Sequence, residues 1–446
     1  MKYPRHLKYK DSGIEWLGEV PEGWEIKRLK WVCDAFPSNV DKKSYDDGQP
    51  VSLCNYTDVY YNESITPALN FMAATATTEQ VIKFSLKSGD TIITKDSETA
   101  DDIAIAAYVP EDMPGVVCGY HLSIVRPKGK VCGAFIKNIF DSSYAKNKFA
   151  VLANGLTRVG LGQYALDNVE FPFPPLEEQQ AIAAFLDTET ARMDALIAEY
   201  ETLIDLLKEK RQALISQAVT KGLNPDVPMK DSGVEWLGEV PEHWRLYQTK
   251  RLFRLVVEQA PDDNNEELLS IYTSIGVRPR KSLEEKGNKA TTTNGYWIVR
   301  KGDIIVNKLL AWMGAIGLSE YDGVTSPAYD IFRRIKPLVP KYYSELFRCG
   351  IMFSEFRRHS RGIMDMRLRL YFEDFGQLVI PYPPPSEQME IVKALELELG
   401  KMDELVANAE IGINLLKERR TTLISDAVTG KIDVRTSSVV DTSDIA

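Results

Sequence analysis

The sequence predicts a mixed α/β (α+β) architecture: two globular domains separated by two long antiparallel coiled-coil helices, with an internal pseudo-twofold repeat. Three observations carry this. A short segment near the start recurs in the middle of the chain, a longer segment with coiled-coil periodicity occurs twice, and the blocks between them show short β-rich runs with helical stretches interspersed. At 446 residues the chain is also too long for one ordinary domain and long enough for several cores.

Tyr9 to Trp24 reads YKDSGIEWLGEVPEGW and Met229 to Trp244 reads MKDSGVEWLGEVPEHW, identical at 13 of 16 positions at an offset of 220. Pro174 to Thr220 aligns without gaps on Pro383 to Thr429 at an offset of 209, so the second intervening block is 11 residues shorter. Two copies of more than 200 residues are not a solenoid, whose units are roughly 20 to 50 residues long and number three or more. The expected order is an N-terminal segment 1–24, a recognition block 25–173, a central helix 174–222, a repeat of the first segment with linker 223–244, a second block 245–382, a second helix 383–430 and a flexible tail 431–446. The framework is duplicated while the content of the blocks differs, as suits a protein that recognises two related but unlike things.

In the first helix Ile182, Leu186, Met193, Leu196, Tyr200, Leu203, Leu207 and Leu214 step by threes and fours or multiples of them, the pattern of a coiled-coil seam. Ile391, Leu395, Met402, Leu405, Leu416 and Leu423 follow in the second. Prolines precede each helix, and Gly222 and Gly430 follow them, giving spans near 176–220 and 385–429 of roughly 65 Å each at ~1.5 Å per residue. Matched seams on one chain most simply zip together antiparallel; taken alone they are a packing device, and the spacing they impose is what could serve function.

The net charge of −10 excludes bulk attraction to nucleic acid, so any phosphate binding must rest on local clusters of Lys and Arg. Residues 25–173 carry 15 basic against 18 acidic side chains and residues 245–382 carry 22 against 16, which leaves −13 on the rest of the chain. Five cysteines without a CxxC pair or zinc-finger histidines read as reduced, mostly buried thiols. MKYPRHLKYKDSG lacks the apolar core of a signal peptide and no stretch is long enough to span a bilayer, so a cytoplasmic location is expected.

Within the blocks, DTIITK, DIAIAAYV and HLSIVRP, then YWIVRK, DIIVNK and YDIFRRI, read as strands, and a helical stretch surrounds Tyr342 to His359. SGDTIITK and KGDIIVNK share a Gly-Asp turn, a strand and a Lys six residues after the Gly, making Lys95 and Lys308 candidates for phosphate or base contact, or else solvated lysines after buried strands. The densest basic run, RRHSRGIMDMRLR, supplies Arg357, Arg358, Arg361, Arg367 and Arg369 ahead of a strand-like LYFEDFGQLVIP. Arginine makes bidentate contacts to guanine edges and to phosphates. NGLTRVGLGQY, at the equivalent place in the first block, keeps Arg158 among glycines, so the two blocks should grip differently. Arg126, Lys128, Arg278, Arg280 and Arg333 are weaker DNA-binding candidates that read more readily as surface charge.

The chain has no GxxxxGK[ST] phosphate loop, no glycine-rich cofactor loop after a strand, no amino-methyltransferase tetrapeptide, and only four histidines, so neither a catalytic residue nor a metal site is expected. A non-catalytic binding subunit follows. A coiled-coil adaptor for proteins, or a methyltransferase with unrecognised motifs, would be the alternatives.

EVPEGW ending at Trp24, PPLEEQQAIAAFLD opening the first helix, LLKEKRQALISQAVTKG closing it, and the second copy of each resemble the specificity subunits of type I restriction-modification enzymes along the whole chain. The resemblance implies that each block is a target-recognition domain reading one half of a bipartite site in double-stranded DNA, with the helices setting the spacer and docking partners. It implies two modification subunits that bind S-adenosylmethionine, two restriction subunits that use ATP and Mg, and no cofactor on this chain. GluGlu at 177 and 178 becomes SerGlu at 386 and 387, and Phe185 and Asp187 have no counterpart in the second helix, so equal docking of two partners does not follow.

Overall fold

The computed structural model describes residues 3–46, 48–262, 264–282, 293–363 and 367–435. The expected tail is therefore described only to Arg435, and Met364, Asp365 and Met366 of the arginine run lie outside the described residues. The chain divides into two compact units, Met1–Tyr200 with Ile411–Ala446, and Glu201–Glu410. The division falls inside both long helices, so each unit is one block with part of each helix.

In the first unit Thr91–Thr94 is buried at every position, the pattern of a central strand covered on both faces. It sits in an antiparallel sheet ordered Cys33–Pro37, Leu122–Pro127, Thr91–Thr94, Ala106–Tyr108. The second unit repeats the order with Phe253–Val256, Tyr329–Arg334, Ile304–Asn307 and Ile316–Leu318. The block ends also match: Glu25–Arg28 pairs with Glu170–Phe173, and Arg245–Gln248 with Val379–Tyr382. Two blocks with little sequence in common thus share one four-stranded sheet order, while the smaller sheets differ: Val116–Cys118, Gln49–Cys54 and Met72–Ala76 form one sheet in the first unit, and Leu269–Tyr272 with Gly276–Pro279 and Trp297–Val299 with Gly323–Thr325 form two pairs in the second.

Of the expected strands, DIAIAAYV is strand only over Ala106–Tyr108. LYFEDFGQLVIP is not one strand. Its first half forms the helical turn Phe372–Phe375 and only Val379–Tyr382 is extended. Phe372 and Phe375 must both reach Phe332, at ring separations of 5.0 and 4.7 Å, and a spacing of three puts them on one side of a helical turn.

The long helices run from Leu176 to Lys221 and from Pro385 to Val428. Each starts on a buried glutamine that bridges two stretches of backbone. Gln179 donates to the Pro174 carbonyl (2.8 Å) and accepts from the Cys132 amide (3.0 Å). Gln388 donates to the Pro383 carbonyl (2.8 Å) and accepts from the Val339 amide (2.8 Å). Each helix stops at a left-handed glycine packed against a buried tryptophan of a repeated hairpin segment: Gly222 on Trp244, and Gly430 on Trp24 and Pro21. A Cβ on Gly430 would stand 2.4 Å from Pro21, so the contact requires glycine.

The helices pack antiparallel. In the first unit Asp194 meets Arg420 and the Tyr200 ring covers Gly412; in the second Arg211 meets Asp403. Ile182, Leu186, Met193, Leu207, Ile391, Leu395, Met402 and Leu423 are buried, with Leu214 and Leu416 packed against the cores. Leu196, Leu203 and Leu405 are corrections, being 39%, 41% and 51% exposed. Alternating steps of four and three carry the seam through Met193, Ile197, Tyr200, Ile204 and Leu207 and through Met402, Val406 and Ala409, leaving those leucines one position to the side. Accordingly, Leu186→Ala should cost about 2–5 kcal/mol in urea unfolding, whereas Leu196→Ala should stay within about 0.5 kcal/mol of the parent.

Candidate nucleic-acid interface

Each central strand begins at a buried carboxylate. Asp90 caps its turn by accepting the Lys87 amide (2.8 Å) and is gripped by Arg126 through two bonds of 2.8 and 2.6 Å. Asp303 accepts the Arg300 amide (2.9 Å) and is gripped by Arg333 at 2.8 and 2.7 Å. The Asp303 bond holds the Arg333 guanidinium pKa above its ordinary value. Arg126 also donates to the Ser85 carbonyl, and Arg333 lies near Glu258. Both arginines are committed inside their folds, the surface-charge reading of each being replaced by a bidentate internal pair.

Lys95 and Lys308 leave the opposite ends of these strands, five residues and roughly 17 Å away at ~3.4 Å per residue. Lys95 is half-buried, its ammonium 4.2 Å from the Tyr120 ring centroid and 3.3 Å from the Ser38 carbonyl, and burial lowers its pKa. Lys308 donates to the Pro327 carbonyl and to Asp330 (3.2 Å), whose carboxyl is pushed up by burial against the pull of the lysine.

The same strand ends receive the arginine loops. In the first unit Asn154 and Gly160 exchange backbone bonds of 3.0 and 2.8 Å, closing a loop that holds Arg158, and the Leu161 amide donates to the Lys95 carbonyl (2.9 Å). In the second, Arg361 and Arg369 exchange bonds of 2.9 and 3.0 Å, and the Leu370 amide donates to the Lys308 carbonyl (2.9 Å). The structure therefore brings Lys95 together with Arg158, and Lys308 with Arg361 and Arg369. The expected equivalence of the two loops is geometric.

The grips differ in detail. Arg158 pairs with Asp96 (2.7 Å), whose other oxygen takes His121 (2.9 Å). Tyr56, Tyr60 and Tyr61 line a recess beside Arg158, and Tyr60 donates to Asp102 (2.8 Å). In the second unit Arg361 pairs with Asp374 (2.7 Å), which raises its pKa, while Arg367 and Arg369 are exposed and have no side-chain partner among the described residues. Arg357 stacks over Trp312 at 5.6 Å, and Arg358 reaches Glu355 and Glu235. Charge and spacing do not mark Tyr56, Tyr60, Tyr120, His121 or Asp96 in the sequence; the aromatic repetition in NYTDVYYN is the one signal that points toward them.

Other candidates lie elsewhere. Lys128 is held by Asp34 (2.8 Å) and the Lys30 carbonyl near the Arg126 end of the sheet. Arg278 and Arg280 belong to the separate hairpin Leu269–Tyr272 with Gly276–Pro279 and the turn after it; Arg278 bonds the Val277 carbonyl and Arg280 is half-buried. His6, Glu178 and Asp433 place ligand atoms within 4.8 Å of one another, but Arg435 donates to Asp433 and stands 3.8 Å from Glu178, supplying the positive charge that a metal would bring.

Two copies of one α/β module, each with a basic loop tied to a lysine-ended strand and each joined to paired long helices, define a duplicated recognition protein. A profile of the type I restriction modification DNA specificity domain matches residues 21–204. The putative type I restriction enzyme MjaX specificity subunit of Methanocaldococcus jannaschii is 23% identical, with 94% of this chain and 96% of that one covered. The type I restriction enzyme EcoKI specificity subunit of Escherichia coli strain K12 is 26% identical over 52% of this chain and 46% of its own length. The crystal structure of the HsdS subunit from Thermoanaerobacter tengcongensis matches the fold with a TM-score of 0.57 at 16% identity, covering 92% of this chain and 98% of that one. A chain from a structural study of complex assembly and conformational transition of the type I R-M system gives 0.61 at 16% identity, with the same coverage. Residues 21–204 are thus similar to the specificity domain of type I restriction-modification enzymes, and the chain resembles a specificity subunit along nearly its whole length.

Removing Arg126 leaves Asp90, 1% exposed, without its counter-charge. Arg126→Met should therefore lower unfolding stability by about 3 kcal/mol or more, and Lys95→Met by under about 1 kcal/mol, as read by chemical denaturation.

Proposed function

We propose that this chain is the DNA-recognition subunit of a type I restriction-modification complex, each module reading one half of a bipartite site in double-stranded DNA. The observation that carries this is the equivalence of the two loop-and-lysine platforms, one sheet order presenting Arg158 in one unit and Arg361, Arg367 and Arg369 in the other. A single fold with exchanged contact residues suits the reading of two different short sequences by one mode of approach. Phosphate contacts by Lys95, Lys308, Arg357 and Arg358 set position, and arginines on the loops, Arg367 and Arg369 above all, reach base edges.

The chain itself is a non-catalytic scaffold. The long helices set the spacer between half-sites and dock two modification subunits, and two restriction subunits complete the assembly. S-adenosylmethionine, ATP and Mg belong to those partners. No helix among the described residues is long and apolar enough to cross a membrane, which accords with work on DNA in the cytoplasm.

Methylation mapping of a host that expresses this chain with its modification partner should reveal one bipartite motif. Exchanging residues 25–173 for the corresponding block of a relative should change one half of that motif and spare the other. A change in both halves, or in neither, overturns the modular reading. Replacing Arg367 and Arg369 by glutamine in the assembled complex should relax the base requirement of the second half-site only. If they neutralise phosphates instead, the slope of log affinity against log salt becomes shallower by about 0.9 for each phosphate no longer neutralised, and the motif stays unchanged.

A further inference from the structure

The two loops share one more feature. Gly155 and Gly362 have φ of +151° and +156°, and a Cβ on either would lie 1.9 Å from the Arg158 carbonyl oxygen or 2.7 Å from that of Arg367. The next residues, Leu156 and Ile363, are 105% and 102% exposed. Single exposed aliphatic side chains are common and need no explanation. Here, however, a glycine that admits no side chain is followed by a fully exposed branched aliphatic twice, at equivalent points of loops pinned by the same backbone bonds, in blocks that otherwise share little sequence. Neither side chain contributes burial to its fold, so folding does not account for the recurrence. A role common to both modules, rather than the choice of a base, does.

Each aliphatic tip stands on a loop that carries arginine and is tied to a lysine-ended strand, Arg158 and Lys95 in one case, Arg361 and Lys308 in the other. An apolar tip flanked by cations matches the chemistry of wedge residues, for which leucine and isoleucine are suited: the cations hold the phosphates while the side chain enters between two base pairs and partly unstacks them. We infer that Leu156 and Ile363 are paired wedges, each inserting into a base step of its own half-site. The unstacking would assist a modification partner that must draw its target base out of the helix. This rests on the DNA-recognition reading above.

The test uses the full-length chain assembled with its modification partners and a duplex bearing the mapped site, with 2-aminopurine placed in turn at each step except the methylated base. Wild type should show a several-fold rise in fluorescence at one step of each half-site. Leu156→Ala should abolish the rise in the first half-site alone and Ile363→Ala in the second alone, while Leu156→Met preserves it and the methylated motif keeps its sequence. Because both side chains are fully exposed, the variants should melt as wild type does. Persistence of the rise in the alanine variants overturns the wedge. So does dissociation of the modification partner with the rise intact, which would make the tips protein-binding residues. A wild-type complex that binds DNA without any bipartite preference would instead refute the recognition reading itself.

Discussion

Each module depends on one buried ion pair. Asp90 with Arg126, and Asp303 with Arg333, join the two central strands of the sheet through two parallel N–H···O bonds, at side-chain exposures of 1% and 3% for the carboxylates. A slip of one residue between those strands would turn Ile93 or Ile305 out of its core and leave a carboxylate unpaired. With register fixed at one end, the other end of the same strand delivers Lys95 or Lys308 to a defined place, and its carbonyl receives the loop that carries the arginines. The pair is turned into the fold; it decides where the loop and the lysine stand.

Much of this is legible in the sequence because it is duplicated. The Gly-Asp-strand-Lys pattern of SGDTIITK and KGDIIVNK marks both the carboxylate and the lysine, and the correspondence of NGLTRVGLGQY to the RGIMDMRLR region marks the loops. The partner of each carboxylate is not legible. Arg126 and Arg333 stand near the ends of their strands, as a DNA contact could, and only the cross-strand register shows that each stands opposite an aspartate. The seam shows the same limit on a smaller scale. Leu196 and Ile197 are equally apolar neighbours, and the choice between them depends on the angle of the partner helix, which the spacing within one helix fixes only when every step is followed.

The repeated segments owe their identity to two kinds of joint. Gln179 and Gln388 each occupy a buried site where amide nitrogen and oxygen both find backbone partners, a role that aspartate or glutamate would leave half satisfied and leucine wholly unfilled. Gly222 and Gly430 let a helix end approach an indole closely. The glutamate before each glutamine is kept but its partners have diverged: Glu387 accepts from Trp244 and His243, whereas Glu178 faces His6 and Arg435, and the Trp24 indole nitrogen is buried without a partner among the described residues. The two joints share a frame and differ in their polar fill, so equal docking of identical partners on them is not a consequence of the repeat.

The charge distribution fits this division of labour. The modules carry −3 and +6 while the rest of the chain, mostly the repeated framework, carries the remaining −13. An acidic framework repels DNA only within about a Debye length, ~8 Å at physiological salt, so it does not prevent approach to a module whose cations stand farther out than that. On the DNA-recognition reading proposed above, it disfavours DNA lying along the helices, which leaves the loop faces as the places where phosphate is tolerated. The first module, near neutral and lined with tyrosine, has less electrostatic attraction to offer than the second, and must gain more of its affinity from contacts that are made only when the fit is close. The second can hold DNA by charge before the fit is tested. On that reading two modules built on one sheet order divide a single task unequally, with the basic one suited to first contact and the aromatic one to discrimination.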